Sequence, residues 1–210
     1  MTLDISTCAS AVLYPVILPV CPEVRQLSGS DRARALSRIA RLALAVCAEK
    51  SGLKIADLTK DAQGAPMPDH GVYWSVTHKP EYVAGILGLS PIGIDLEKIR
   101  PIHQGLFHKI ADDEQWALDD SASLIRFFRF WTAKEAVLKA CGTGLRDLAE
   151  CRIEKVSGPD RLIVRYQKKY WSVFQIFFDG HVAAAAGRNI EIRWNFADHH
   201  SENGSGATGL

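Results

Sequence analysis

Three short stretches of this chain carry residues whose types and spacing could do chemistry. In Ile92-Gly93-Ile94-Asp95-Leu96-Glu97, an extended backbone sends alternate side chains to opposite faces. Ile92, Ile94 and Leu96 then face a core, and Asp95 and Glu97 share the other face within reach of one cation. Two carboxylates held close repel unless a cation offsets them, and carboxylate oxygens with room for water and phosphate suit magnesium. The same spacing also describes a half-exposed edge strand with two solvated acids. In the second stretch, Phe127 to Lys139, helical spacing puts Trp131, Glu135 and Lys139 on one face. A surface Glu–Lys ion pair is the plain alternative, but an indole beside the pair indicates a partly buried stripe, where an acid needs a partner or a metal. The third stretch is Trp74-Ser75-Val76-Thr77-His78-Lys79. A histidine at a strand end after a hydroxyl residue can hold a phosphate oxygen, or can be a hydrogen-bonded turn histidine.

The elements that must position these residues follow from periodicity and punctuation. Residues 11 to 22 read as extended and proline-broken. After the capping cluster Ser28-Gly29-Ser30-Asp31, the residues Leu36, Ile39, Ala40, Ala43, Leu44 and Cys47 recur at helical spacing, with Gly52 as the stop. A turn-rich loop covers 61–71. Strand-like runs at 72–77 and 82–89 follow, and a third at 92–97 is expected to complete a meander. Arg100-Pro101 marks a junction. Beyond it, Asp112-Asp113-Glu114 opens a helical stretch, and the strongest helix is expected from Leu124 to Cys141, stopped by Gly142. Strand-like runs at 162–167 and 171–178, then a small apolar run at 181–187, complete the pattern. Each half reads helix first and strands after, so the expected class is α+β: residues 1–100 as one half, 101–190 as a similar second half, and 191–210 as a disordered tail ending Gly/Ser-rich.

Composition narrows the function. With 47% hydrophobic and 23% charged residues, the chain has the make-up of an ordinary globular protein. A formal net charge of +1 calls for neither nucleic acid nor membrane as partner. The Arg-rich 32–41 run reads as the polar face of one helix. The five cysteines show no metal-ligand or CxxC spacing, as expected of a reduced compartment. Pro15 and Pro19 interrupt the apolar 11–20 run and no basic residues precede it, so it does not read as a secretory leader. The expectation is a cytoplasmic protein.

Taken in order, these stretches are Thr-His, then about seventeen residues on Asp-x-Glu, then about forty on Trp-x-x-Lys-Glu-x-x-x-Lys, then Gly142-Thr143-Gly144-Leu145. This order resembles the 4'-phosphopantetheinyl transferase superfamily, in its two-halved Sfp type, over about residues 30 to 187. The resemblance implies two α+β halves related by pseudo-twofold symmetry, working as a monomer. It also implies magnesium-dependent transfer (manganese as a substitute) of phosphopantetheine from coenzyme A to a serine of an apo acyl, peptidyl or aryl carrier protein, with release of adenosine 3',5'-bisphosphate.

Residue by residue, the resemblance makes Asp95, Glu97 and Glu135 the metal acids, Glu135 or a metal-bound water the base, and Lys139 the lysine on the coenzyme A phosphates. It puts Thr77 and His78 at the phosphate end of the nucleotide and Gly64 and Pro66 beside the adenine. Arg34 or Arg38 is expected at the 3'-phosphate, and Glu114 matches an acid after the midpoint. The family's Gly-Lys-Pro is here Gly64-Ala65-Pro66, and Thr77 and Lys79 stand where serines usually flank the histidine. A basic and apolar rim for an acidic carrier is expected from Arg126, Arg129, His103, His108, Lys109 and Leu106. Two rivals stay open: another magnesium phosphotransferase or hydrolase, for which no GxxxxGK[ST] loop speaks, and a homologue that only binds.

Overall fold

The structure, a computed structural model, describes residues 10–197. The chain opens with two short strands, β1 (Ala11–Leu13) and β2 (Val16–Pro19), then a one-turn helix α1 (Pro22–Gln26) with proline in its first turn. The long helix α2 (Gly29–Ser51) starts at Ser28 and stops at Gly52, whose left-handed φ of 66° lets its N–H reach the Ala48 and Glu49 carbonyls. The residues expected at helical spacing, Leu36 to Cys47, are buried along one stripe. They pack on β2, β3 (Tyr73–His78) and β4 (Tyr82–Gly88), through Val16, Leu18, Trp74, Val83 and Leu87.

The second layer repeats the scheme at larger scale. Strand β5 (Gly93–Lys98) leads through a 3-10 turn (Gln104–Leu106) and two short helices, α3 (Phe107–Ile110) and α4 (Asp113–Trp116), to the long helix α5 (Ser123–Cys141). Gly142 ends α5 at φ 69°. A 3-10 helix (Leu145–Glu150) and the strands β6 (Arg152–Val156), β7 (Arg161–Tyr166), β8 (Lys169–Phe178) and β9 (His181–Gly187) follow. The fold is α+β, with each long helix laid on a largely antiparallel sheet.

Two expectations about connectivity change. Strand β5 does not complete a meander with β3 and β4. It pairs antiparallel with β9, with Asp95 opposite Ala184, and so edges the C-terminal sheet in the order β5-β9-β8-β7-β6. The free edge of β4 is already taken by β2. The alanine run of β9 also fits between layers: Ala183 and Ala185 pack with Ile92, Ile94 and Leu96, while Ala184 and Ala186 face the α5 core. The second change is at the C-terminus. Residues from 191 were expected to be disordered, yet β10 (Ile190–Ile192) pairs with β1 and β11 (Asn195–Phe196) pairs with β2, both parallel. Ile190, Ile192 and Trp194 bury against the core between the sheets, which anchors this segment. The Gly/Ser-rich end of the expected tail lies outside the described residues. Hydrogen bonding therefore crosses the expected boundary at residue 100 from both sides.

Candidate active site

The site forms where β3, β5 and α5 meet. Glycine decides how closely. On the face of β5 turned to α5 stand Gly93, Asp95 and Glu97. A Cβ on Gly93 would lie 1.9 Å from the Ala136 carbonyl oxygen and 2.7 Å from the Ala140 nitrogen. Only a glycine lets the helix backbone come this near, and that approach delivers Glu135 and Lys139 to the acids of the strand. The stripe Trp131, Glu135, Lys139 is the part of α5 that meets them: the Trp131 indole N–H donates to Glu97 Oε1 at 3.2 Å, and Lys139 Nζ donates to Asp95 Oδ1 at 2.6 Å and to the Ile94 carbonyl at 3.2 Å.

Strand β3 joins β5 through side chains rather than through the ladder. Alternate residues reach across in turn. Ser75 Oγ accepts from the Ile94 amide at 3.2 Å, Thr77 Oγ1 donates to Asp95 Oδ1 at 3.2 Å, and Lys79 Nζ lies 2.6 Å from Glu97 Oε1. Thr77, whose hydroxyl was expected at the nucleotide, is buried, and that hydroxyl donates to Asp95.

One oxygen from each of Asp95, Glu97 and Glu135 lies within 4.8 Å of the others. Asp95 is almost wholly buried, and its Oδ2 has no hydrogen-bond partner among the described residues. Burial first, then the Asp95 charge, pushes the Glu135 carboxyl up to about 7, against the pull of Lys139. Burial alone would lower the Lys79 ammonium, but its bond to Glu97 and the nearby carboxylates hold it above its usual value. Two lysines thus face three carboxylates. An all-oxygen set with an orphaned buried oxygen suits a hard cation such as magnesium or manganese.

Beside the acids opens a cavity of about 540 Å³, reached from Lys139 and lined by Gly64, Ala65, Pro66, Val76, Leu138 and Gly142 among others. Gly64 and Pro66, expected beside the adenine, are among its lining residues. His78 ends β3 with part of its surface open to solvent. Partial burial, with Lys139, Lys79 and Lys60 adding positive potential, lowers its pKa despite an opposing backbone hydrogen bond.

Other expected residues fall elsewhere. Arg34 is exposed and paired with Asp31 at 2.6 Å, and neither Arg34 nor Arg38 is among the residues lining this cavity. Glu114 is exposed and within 3.4 Å of Arg152, outside the acid cluster. Of the expected rim, His103, Leu106, His108 and Lys109 are exposed. Arg126 is held by the Trp116 and Asp119 carbonyls. Arg129 is a correction: it is buried, 2.5 Å from Asp119, and also donates to Gln175 and to the Gly158 carbonyl. Lys60 and Arg146 also line the cavity. Neither belongs to a periodic stripe or a motif block, so nothing local in the sequence marks them.

An acid triad that could hold a metal ion stands between a strand and a close-packed helix, with a lysine crossing it and a basic cavity alongside. Residues 91–186, which hold β5, α5 and the whole acid triad, match the family model described as the 4'-phosphopantetheinyl transferase superfamily. Three curated relatives agree. The 4'-phosphopantetheinyl transferase gsp of Aneurinibacillus migulanus is 27% identical over 41% of this chain and 38% of its own length. The transferase ffp of Bacillus subtilis is 30% identical over 50% of each, and HetI of Nostoc sp. is 29% identical over 60% of this chain and 55% of its own. The chain thus spans about half the length, or less, of the curated relatives it matches. Over that matched segment it is similar to the 4'-phosphopantetheinyl transferase superfamily.

Proposed function

We propose that the chain transfers the 4'-phosphopantetheine group of coenzyme A to a serine of an apo carrier protein (acyl, peptidyl or aryl). The observation that supports this best is the convergence of Asp95, Glu97 and Glu135 with Lys139 across the Gly93 contact, inside the matched segment. The serine Oγ forms a bond to the β-phosphorus of coenzyme A. The bond from that phosphorus to the bridging oxygen breaks, and adenosine 3',5'-bisphosphate leaves with the bond's electrons. Magnesium, or manganese in its place, held by the three acids would supply positive charge to phosphate oxygens. Lys139 reaches the same place as a second positive centre, and Glu135 takes the proton from the serine hydroxyl. Thr77 and Trp131 fix the carboxylates through the bonds already described. In this reading the protein acts as a cytoplasmic monomer, and the carrier docks at the exposed His103–Lys109 segment. No helix among the described residues is long and apolar enough to cross a membrane.

The test is the intact mass of an apo acyl carrier protein after incubation with the protein, coenzyme A and magnesium. The expected result is a gain of one phosphopantetheine, abolished by EDTA and by Glu135→Gln. Absence of the gain on several unrelated apo carriers, with coenzyme A demonstrably bound, would leave a binding-only homologue.

A further inference from the structure

Lys79 is held against the acid triad by more than its own side chain. It lies in the turn between β3 and β4, which its amide closes by donating to the Tyr82 carbonyl at 2.8 Å. Two residues on, Glu81 Oε1 accepts from Lys98 Nζ at 2.5 Å, and the Glu81 carbonyl accepts from the Val20 amide at 2.8 Å and from Arg25 at 3.4 Å. The turn is thus tied both to the end of β5 and to the segment that follows β2. That frame delivers the Lys79 ammonium to Glu97, 2.6 Å from Oε1, in a pair whose side chains are only 30% and 12% exposed. An ammonium is withdrawn from water this far only when it is paired. Glu97 is not the only acid it meets. The Asp95 and Glu135 carboxylates also act on the Lys79 charge, and that charge acts in turn on Glu135. Nor does Glu97 depend on Lys79 for a donor, since its Oε1 also accepts from the Trp131 indole.

A fixed ammonium in that position has a consequence for any metal the triad holds. A divalent ion on Asp95, Glu97 and Glu135 would draw on the same negative charge as Lys79, and the two cations would repel each other at short range. We infer that Lys79 is a tethered counter-cation of the acid triad: its ammonium offsets Glu97 while no metal is bound, competes there with the divalent cation, and so weakens the hold of the protein alone on that cation. The inference rests on the reading of the triad as a metal site. It gives a sign that a merely structural lysine does not. A lysine that only kept Glu97 in place would, when removed, loosen the metal site, whereas removal of a competing charge tightens it.

The experiment is manganese binding to the whole protein, without nucleotide or carrier, followed by electron paramagnetic resonance. Lys79→Met removes the charge. Lys79→Gln removes the charge but keeps an N–H donor for Glu97, which protects the fold, and Lys79→Arg keeps the charge. Lys155→Met, at an exposed lysine on β6, controls for the loss of one positive charge elsewhere. The Met and Gln variants at position 79 are expected to bind manganese roughly ten- to a hundredfold more tightly than the native protein, the range of one charge-assisted bond. The Lys79→Arg and Lys155→Met proteins are expected to stay near the native affinity. Manganese held no more tightly by Lys79→Gln than by the native protein would overturn the inference, as would an equal gain in Lys79→Arg or Lys155→Met. A native protein and variants that bind no manganese, with or without coenzyme A, would sink the metal reading itself.

Discussion

Replacing Gly93 with alanine adds one methyl group at the point where β5 and α5 touch. That methyl would lie 1.9 Å from the Ala136 carbonyl oxygen and 2.7 Å from the Ala140 nitrogen. Ordinary contact begins near 3.4 Å, so strand and helix must part by roughly 1.5 Å, or the helix must give up the hydrogen bond between those two atoms. Overpacking of this kind costs about 1–3 kcal/mol, and the obstruction here is backbone, which cannot rotate away, so the upper figure applies. For a chain of this size about 3 kcal/mol lowers the melting temperature by roughly 6–12 °C. The functional effect should be larger than the thermal one. The three carboxylates must converge on one ion, with bonds near 2.0–2.1 Å for magnesium, and a site tolerates about 0.5 Å of misplacement. The assay is a thermal melt together with manganese binding followed by electron paramagnetic resonance. Gly93→Ala should melt lower and lose most of its manganese affinity. Truncating Ala136 or Ala140 to glycine should not restore it, because the blocking atoms belong to the helix backbone. A Gly93→Ala protein that melts within about 2 °C of the native one and binds manganese as tightly would refute the close-approach argument.

Two further outcomes follow from buried groups away from the cavity. Asp119→Ala strands the Arg129 guanidinium, whose side chain is 4% exposed, and should cost about 3–5 kcal/mol in urea denaturation. The double change to Asp119→Leu with Arg129→Met should cost less than Asp119→Ala alone, and equal costs would show that the pair is not coupled. Burial pushes the Cys47 thiol from 9.0 up to about 11, so between those values the folded state keeps a proton that the unfolded state has released. Stability should therefore fall as pH rises from about 9 to 11, by about 2–3 kcal/mol from this thiol. Denaturation at several alkaline pH values should show a shallower fall in Cys47→Ala, and an unchanged slope would count against the assignment.

The acids, Trp131 and Lys139 were legible in the sequence because each owes its place to a local period. Two-residue alternation puts Asp95 and Glu97 on one face of β5, and four-residue spacing puts Trp131, Glu135 and Lys139 on one stripe of α5. Both long helices were legible for the same reason, with Gly52 and Gly142 as stops. Period says which side chains share a face and nothing about which strand comes alongside. The same alternation in β5 served a meander partner or β9 equally well, and the choice lay in the alanines of β9, some ninety residues away, and in the edge of β4 already covered by β2. The rim residue Arg129 failed for a related reason: on a helix buried nearly all round, a charge is read as surface until its partner is known, and Asp119 lies in a loop with no period of its own. Thr77 shows the converse. Its hydroxyl was expected at the nucleotide, and its acceptor here, Asp95, becomes visible only once β3 lies against β5. Lys60 and Arg146 lie at the limit of this reasoning. They stand unpaired among the described residues while the acids beside them bond elsewhere, Asp61 to loop amides and Asp147 to Tyr166. A charge without a counter-charge is a property of the folded surface, and no spacing along the chain encodes it.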